Sequence, residues 1–76
     1  MKSDNEKIKA LNEIVSIIDL KAAEYKAEKF HMSEVKVYAG KKLINDLIND
    51  AVLIAASMDQ KPVELLNDLE RLKKSL

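Results

Sequence analysis

The hydrophobic residues of this chain recur in alternating steps of three and four, the spacing that places side chains on one face of an α-helix. In the first third of the chain this spacing is kept by Ile8, Leu11, Val15, Ile18, Ala22 and Tyr25. In the middle third it is kept by Val37, Gly40, Ile44, Leu47, Ala51, Ile54 and Met58. Near the C-terminus Leu65, Leu66, Leu69 and Leu72 share one face. The pattern predicts an all-α fold of three helices.

The ends of the helices are indicated by capping residues, which predict helices over about 4–29, 34–57 and 62–74. Ser3 and Glu6 fit a capping box at the start of the first helix. Ser33 suits the N-cap of the second helix, and Pro62 suits the first position of the third. Residues 34–38 also alternate like a short strand, but a lone strand would have no partner in this chain.

The connections between these helices are short, so consecutive helices should be antiparallel neighbours. We therefore expect one domain, residues 1–76, in which a long antiparallel hairpin of the first two helices is joined by a shorter third helix that returns along the second. Gly40 stands in the middle of an apolar face, where glycine costs about 1 kcal/mol of helix stability. Either a kink or a close approach of two helices would explain it.

The second helix is apolar on all sides over residues 51–56, more than one neighbouring helix requires. The third helix could cover Val52, Leu53 and Ala56. It is less able to reach Ile17 and Leu20, which lie off the apolar face of the first helix. We therefore expect a second chain to bury part of this surplus, most simply in a two-fold homodimer. A monomeric three-helix bundle is the alternative.

The composition excludes several classes of function. Thirteen basic and thirteen acidic residues balance to zero net charge, which argues against nucleic-acid binding. No apolar run approaches the roughly 18 residues of a membrane span, and residues 1–11 lack the apolar segment of a signal peptide. We expect a cytoplasmic protein. The absence of cysteine and the single histidine disfavour disulfides and structural zinc, and no cofactor is predicted.

One acidic pair on the second helix could carry chemistry. Asp46 and Asp50 are four residues apart, so they share a helical face and could hold a cation such as Mg²⁺. The segment 46–66 resembles the C-terminal part of the MazG-like all-α nucleoside triphosphate pyrophosphatases, which implies a metal-dependent nucleotide hydrolase. The chain departs from that family in having Lys42 and Leu43 where the family has an acidic pair. It also has no Glu-x-x-Glu pair on the first helix.

The three aromatic residues, Tyr25, Phe30 and Tyr38, all lie near the first connection. They could form a recognition tip, because aromatic residues are enriched at interfaces, or they could plug the end of the core. We interpret the chain as a non-enzymatic interaction or regulatory protein, such as an inhibitor, an immunity-type protein or an adaptor. Its expected partner is another protein, itself included. The candidate contacts are Ile17, Leu20, Tyr25, Phe30, Tyr38, Val52, Leu53 and Ala56.

Overall fold

The computed structural model describes residues 4–76, and their regular structure is helical throughout. Helix α1 spans Asp4–Glu28, α2 spans Glu34–Ala56 and α3 spans Val63–Ser75, with one 3₁₀ turn at Lys29–His31 after α1. The predicted all-α class is therefore confirmed. The strand alternative for residues 34–38 is wrong, because they form the first turn and a half of α2.

Side-chain and backbone caps explain where α2 begins and ends. The Ser33 hydroxyl accepts a hydrogen bond from the backbone N–H of Lys36 at 3.4 Å, as expected of an N-cap. At the other end the Ser57 N–H bonds the carbonyls of Leu53 and Ile54. Pro62 stands directly before α3 as its N-cap rather than at its first position. Ser3, part of the predicted capping box, lies outside the described residues.

The connection after α2 is tied to the start of α1 by contacts that the sequence pattern does not indicate. The Asp4 carboxylate accepts hydrogen bonds from the backbone N–H groups of Asp59 and Gln60, both at 3.2 Å. Lys7 Nζ donates to the Ser57 carbonyl at 2.7 Å. The start of α1 thus lies beside the end of α2.

The core is one continuous apolar cluster to which all three helices contribute. Its buried residues are Leu11, Ile18, Ala22, Tyr25, Ile44, Ile48, Ala51, Ala55, Met58 and Leu69. On α2 the fully buried residues include Ile48 and Ala55. The sequence pattern instead predicted Leu47 and Ile54 on the buried face, and these two residues are half-buried. The buried face is turned in this way because α2 packs against α1 and α3 at once, and α3 contacts the side that carries Ile48.

The molecule is long and thin, 47 × 18 × 16 Å. With 13 residues, α3 is about 20 Å long, less than half of that length. It begins beside the connection after α2 and ends where Ser75 accepts a hydrogen bond from Lys26 Nζ at 3.2 Å. The far end of the molecule, around the 3₁₀ turn, is therefore built from α1 and α2 alone.

Candidate functional site

The far end carries the most exposed large apolar side chains of the described chain. Phe30, in the 3₁₀ turn, is 84% exposed, and Val35 and Tyr38, in the first turns of α2, are 77% and 70% exposed. We call these three residues the tip. Lys29 Nζ lies 5.3 Å from the centroid of the Phe30 ring, a cation–π contact at an exposed site.

Tyr25 does not belong to this exposed group, although the sequence placed it among the candidate contacts. Its side chain is 6% exposed and is part of the core. The ring lies against α2, and its Cδ1 is 3.0 Å from the position that a Cβ on Gly40 would occupy. Of the two explanations for Gly40, a kink or a close approach of two helices, the structure therefore shows the close approach. Tyr25 plugs the end of the core, while Phe30 and Tyr38 remain outside it.

The apolar second half of α2 is covered by α3 on one side only. Val52 is half-buried and lines a groove with Ile48 of α2 and Leu66 of α3. Leu53 stays 69% exposed, and Ala56 is exposed as well. Successive residues turn by about 100° around a helix, so a neighbour that covers Val52 leaves Leu53 facing solvent. The sequence suggested that α3 could cover Val52, Leu53 and Ala56. In the structure α3 covers Val52 and leaves the other two exposed.

Ile17 and Leu20 lie on α1 beyond the reach of α3. They are 46% and 58% exposed. Ile17 is nine residues from Lys26, which contacts α3, so it lies about half a turn away on the opposite side of α1. Both residues are accessible to another chain.

A second apolar surface runs along α1 and α2 on the side away from α3. Leu43 is nine residues before Val52, which again places it about half a turn from the side that α3 covers. It is 50% exposed and lines a cleft together with Lys21 and Glu24 of α1. Three half-buried residues, Ile14, Leu47 and Ile54, lie on the same side of these two helices. Together with the exposed Ile17 and Leu43 they form what we call the side face.

Beside the tip, the outer surface of α2 has a groove, and one of its lining residues carries a buried oxygen without a hydrogen-bond partner. The groove is lined by Tyr38, Lys41, Lys42, Asn45 and Asp46. Among the described residues, Asn45 Oδ1 is the buried side-chain oxygen that has no hydrogen-bond partner. A buried acceptor without a partner costs free energy, and because this oxygen is closed to solvent it is not a contact point for a bound molecule.

The acidic pair on α2 is arranged as a solvated surface. Asp46 lies 3.5 Å from Lys42 Nζ in an exposed i, i+4 ion pair, and Asp50 is exposed one turn further on. Within residues 4–76, no three His, Cys, Asp or Glu side chains come close enough together to hold a metal ion. His31 is exposed in the 3₁₀ turn.

Val35 of the tip and Leu43 of the side face are exposed residues that are not among the contacts predicted from the sequence. Val35 is nine residues before Ile44, the centre of the buried face of α2, so the helical period alone places it on the opposite side. The spacing along α2 does not show that the side carrying Leu43 is open, because that depends on where α3 packs. A helical wheel centred on Ile44 would have found Val35 but not Leu43.

None of the described helices is both long and apolar enough to cross a lipid bilayer. Comparison with protein-family models, with curated proteins and with solved structures gives no match. A functional assignment for this chain therefore has to rest on its own residues and surfaces.

Proposed function

We propose that this chain is a non-enzymatic, all-α interaction protein. In this proposal α1 and α2 form an antiparallel hairpin that α3 completes to a bundle, and the chain acts by laying exposed apolar side chains on another protein. An inhibitor, an immunity-type protein or an adaptor works in this way. The cytoplasmic location predicted from the sequence is part of the proposal.

The observation that carries the proposal is the exposure of the tip. Single apolar residues on a protein surface are common, so Leu20 or Leu53 alone would need no explanation. At the tip, however, Phe30, Val35 and Tyr38 fall within nine residues of each other and form the exposed end of an elongated molecule. Aromatic residues in such positions are the usual energetic centres of protein interfaces.

The groove next to the tip supports a protein partner in particular. Tyr38 belongs to the tip and also lines this groove, so a chain bound at the tip would extend along it. A carboxylate of that chain could reach the exposed Lys41. An apolar anchor surrounded by a few polar groups is the common anatomy of a protein interface.

The proposal is tested by photo-crosslinking in a lysate of the cells that encode the chain. A photoreactive phenylalanine analogue at position 38 should give a defined protein adduct. The same analogue at Asn67, an exposed position on α3, serves as the matched control and should not give it. Introducing Phe30→Ala together with Val35→Ala should reduce the adduct at least about tenfold, because it removes the apolar anchors.

Circular dichroism should show unchanged helicity in the doubly substituted chain, because neither side chain is packed in the core. Adducts that are the same from positions 38 and 67, or that persist without Phe30 and Val35, would contradict a role for the tip. The remaining candidate contacts, Ile17, Leu20, Leu53 and Ala56, lie on other surfaces and are not altered in this experiment.

A further inference from the structure

The side face is an apolar surface that the chain itself leaves open. Ile17 and Leu43 are about half exposed, and Ile14, Leu47 and Ile54 are half-buried around them. α3 packs on the opposite side of both helices, as its contacts with Val52 and Lys26 show. The side face is therefore formed by α1 and α2 alone and is not covered by α3.

We propose that a second copy of this chain covers the side face, with a two-fold axis beside Ile17. This deepens the proposed function and rests on it, because it names self-association as one of the interactions made through exposed helical faces. The tip lies at the end of the molecule and stays free in such a dimer.

The charges around Ile17 fit a second copy. Glu13 and Lys21 stand four residues before and after Ile17, so each lies on the same side of α1, about one turn away. A two-fold axis beside Ile17 brings Glu13 of each copy next to Lys21 of the other. Lys21 also lies 4.0 Å from Glu24 of its own chain, and Glu24 and Glu28 line the same cleft as Lys21, so the charge match consists of the two Glu13–Lys21 pairs alone.

The size of the surface also fits a second copy. One long side of the molecule measures at most 47 Å by 18 Å, which leaves room for an interface of the roughly 800 Å² per partner that stable complexes bury. Zero net charge over the whole chain means that two copies do not repel each other at long range. Two such two-helix layers packed face to face would form a four-helix arrangement, which buries the apolar residues of both.

The proposal is tested by sedimentation equilibrium of the purified full chain and five variants. The wild type should have a mass of twice 8.6 kDa. Ile17→Lys should weaken the dimer at least about 100-fold, because it places a charge at the centre of the apolar contact in both copies. Glu13→Lys alone and Lys21→Glu alone should each weaken it about tenfold, since each sets like charges against each other twice.

The double variant Glu13→Lys with Lys21→Glu distinguishes a specific two-fold contact from a general effect of charge. It restores opposite charges across the axis, so its dissociation constant should return to within about threefold of the wild type. A wild type that stays monomeric overturns the proposal, as does a double variant that is weakened as much as the two single variants together. A dimer that Ile17→Lys leaves intact also overturns it.

Phe30→Ala with Val35→Ala should leave the mass of the dimer unchanged. This separates the two proposals, because self-association is measured on purified protein and the tip is tested by crosslinking to other proteins. Failure of the dimer would leave the tip result standing, and failure of the tip would leave the dimer standing.

Discussion

The Tyr25 ring occupies the space into which any side chain at Gly40 would project, with Cδ1 3.0 Å from the position of a Cβ there. Gly40 is helical and has no positive φ, so the backbone itself would accept another residue. What requires glycine is the ring of a buried residue on the neighbouring helix. The pairing also fixes the position of α1 along α2.

This contact predicts that Gly40→Ala fails to stabilise the protein. Alanine normally gains about 1 kcal/mol over glycine inside a helix. Here the methyl group pushes against a packed ring, and overpacking costs about 1–3 kcal/mol. Urea unfolding at one fixed protein concentration should therefore show no gain or a small loss.

The companion experiment repeats Gly40→Ala in a Tyr25→Val background. With the ring removed, the substitution should stabilise by about 1 kcal/mol relative to Tyr25→Val alone. An equal effect of Gly40→Ala in both backgrounds would show that the ring does not determine the choice of glycine.

Asp4 is predicted to stabilise the chain through the connection that it caps. Its carboxylate accepts from the N–H groups of Asp59 and Gln60, so Asp4→Ala should lower the free energy of unfolding by about 1 kcal/mol. Asp19→Ala, at an exposed position of the same helix, is the control and should change it by less than about 0.5 kcal/mol. Equal losses in the two variants would mean that the Asp4 hydrogen bonds add no stability.

Leu69 is predicted to hold α3 on the bundle, because it is the fully buried side chain of that helix. Leu69→Ala should cost about 2–4 kcal/mol. Since a domain of this size has only about 3–5 kcal/mol to lose, α3 should become sensitive to limited proteolysis. Val63→Ala, at a position 62% exposed, should leave the proteolysis pattern unchanged. Protection of α3 in the Leu69→Ala variant would show that its other contacts are sufficient.

Removing the charges of the acidic pair on α2 is predicted to leave the melting temperature almost unchanged. Asp46 forms an exposed ion pair with Lys42, and such pairs contribute about 0–1 kcal/mol. Asp46→Asn with Asp50→Asn should therefore shift the melting temperature by only a few degrees, and millimolar Mg²⁺ or Mn²⁺ should not shift that of the wild type. A metal-dependent rise that the double variant loses would instead support the hydrolase alternative.

The helical period was sufficient to predict three helices and most of the core, because burial of one face sets the spacing of apolar residues. Ile18 and Ile44 are buried as their spacing predicts. The helical period could not show whether Leu47 or Ile48 is the buried residue of α2. Either one continues a series of apolar residues in steps of three and four. That choice depends on where α3 packs, which is a tertiary property.

The candidate surface was predictable only in part, for the same reason. Phe30 and Tyr38 were identified from their position near a connection, and both are exposed. Tyr25, equally near, is buried because its helical position points it at Gly40. Exposure of Leu53 depends on which side of α2 the third helix takes, and the Asp4 contacts depend on residues more than fifty positions away in the chain.

Whether a second copy of the chain covers the side face is tested most directly by light scattering of the wild-type chain over a hundredfold range of concentration. We predict a mass of twice 8.6 kDa that falls toward 8.6 kDa on dilution. A mass of 8.6 kDa at every concentration would contradict the account of the side face.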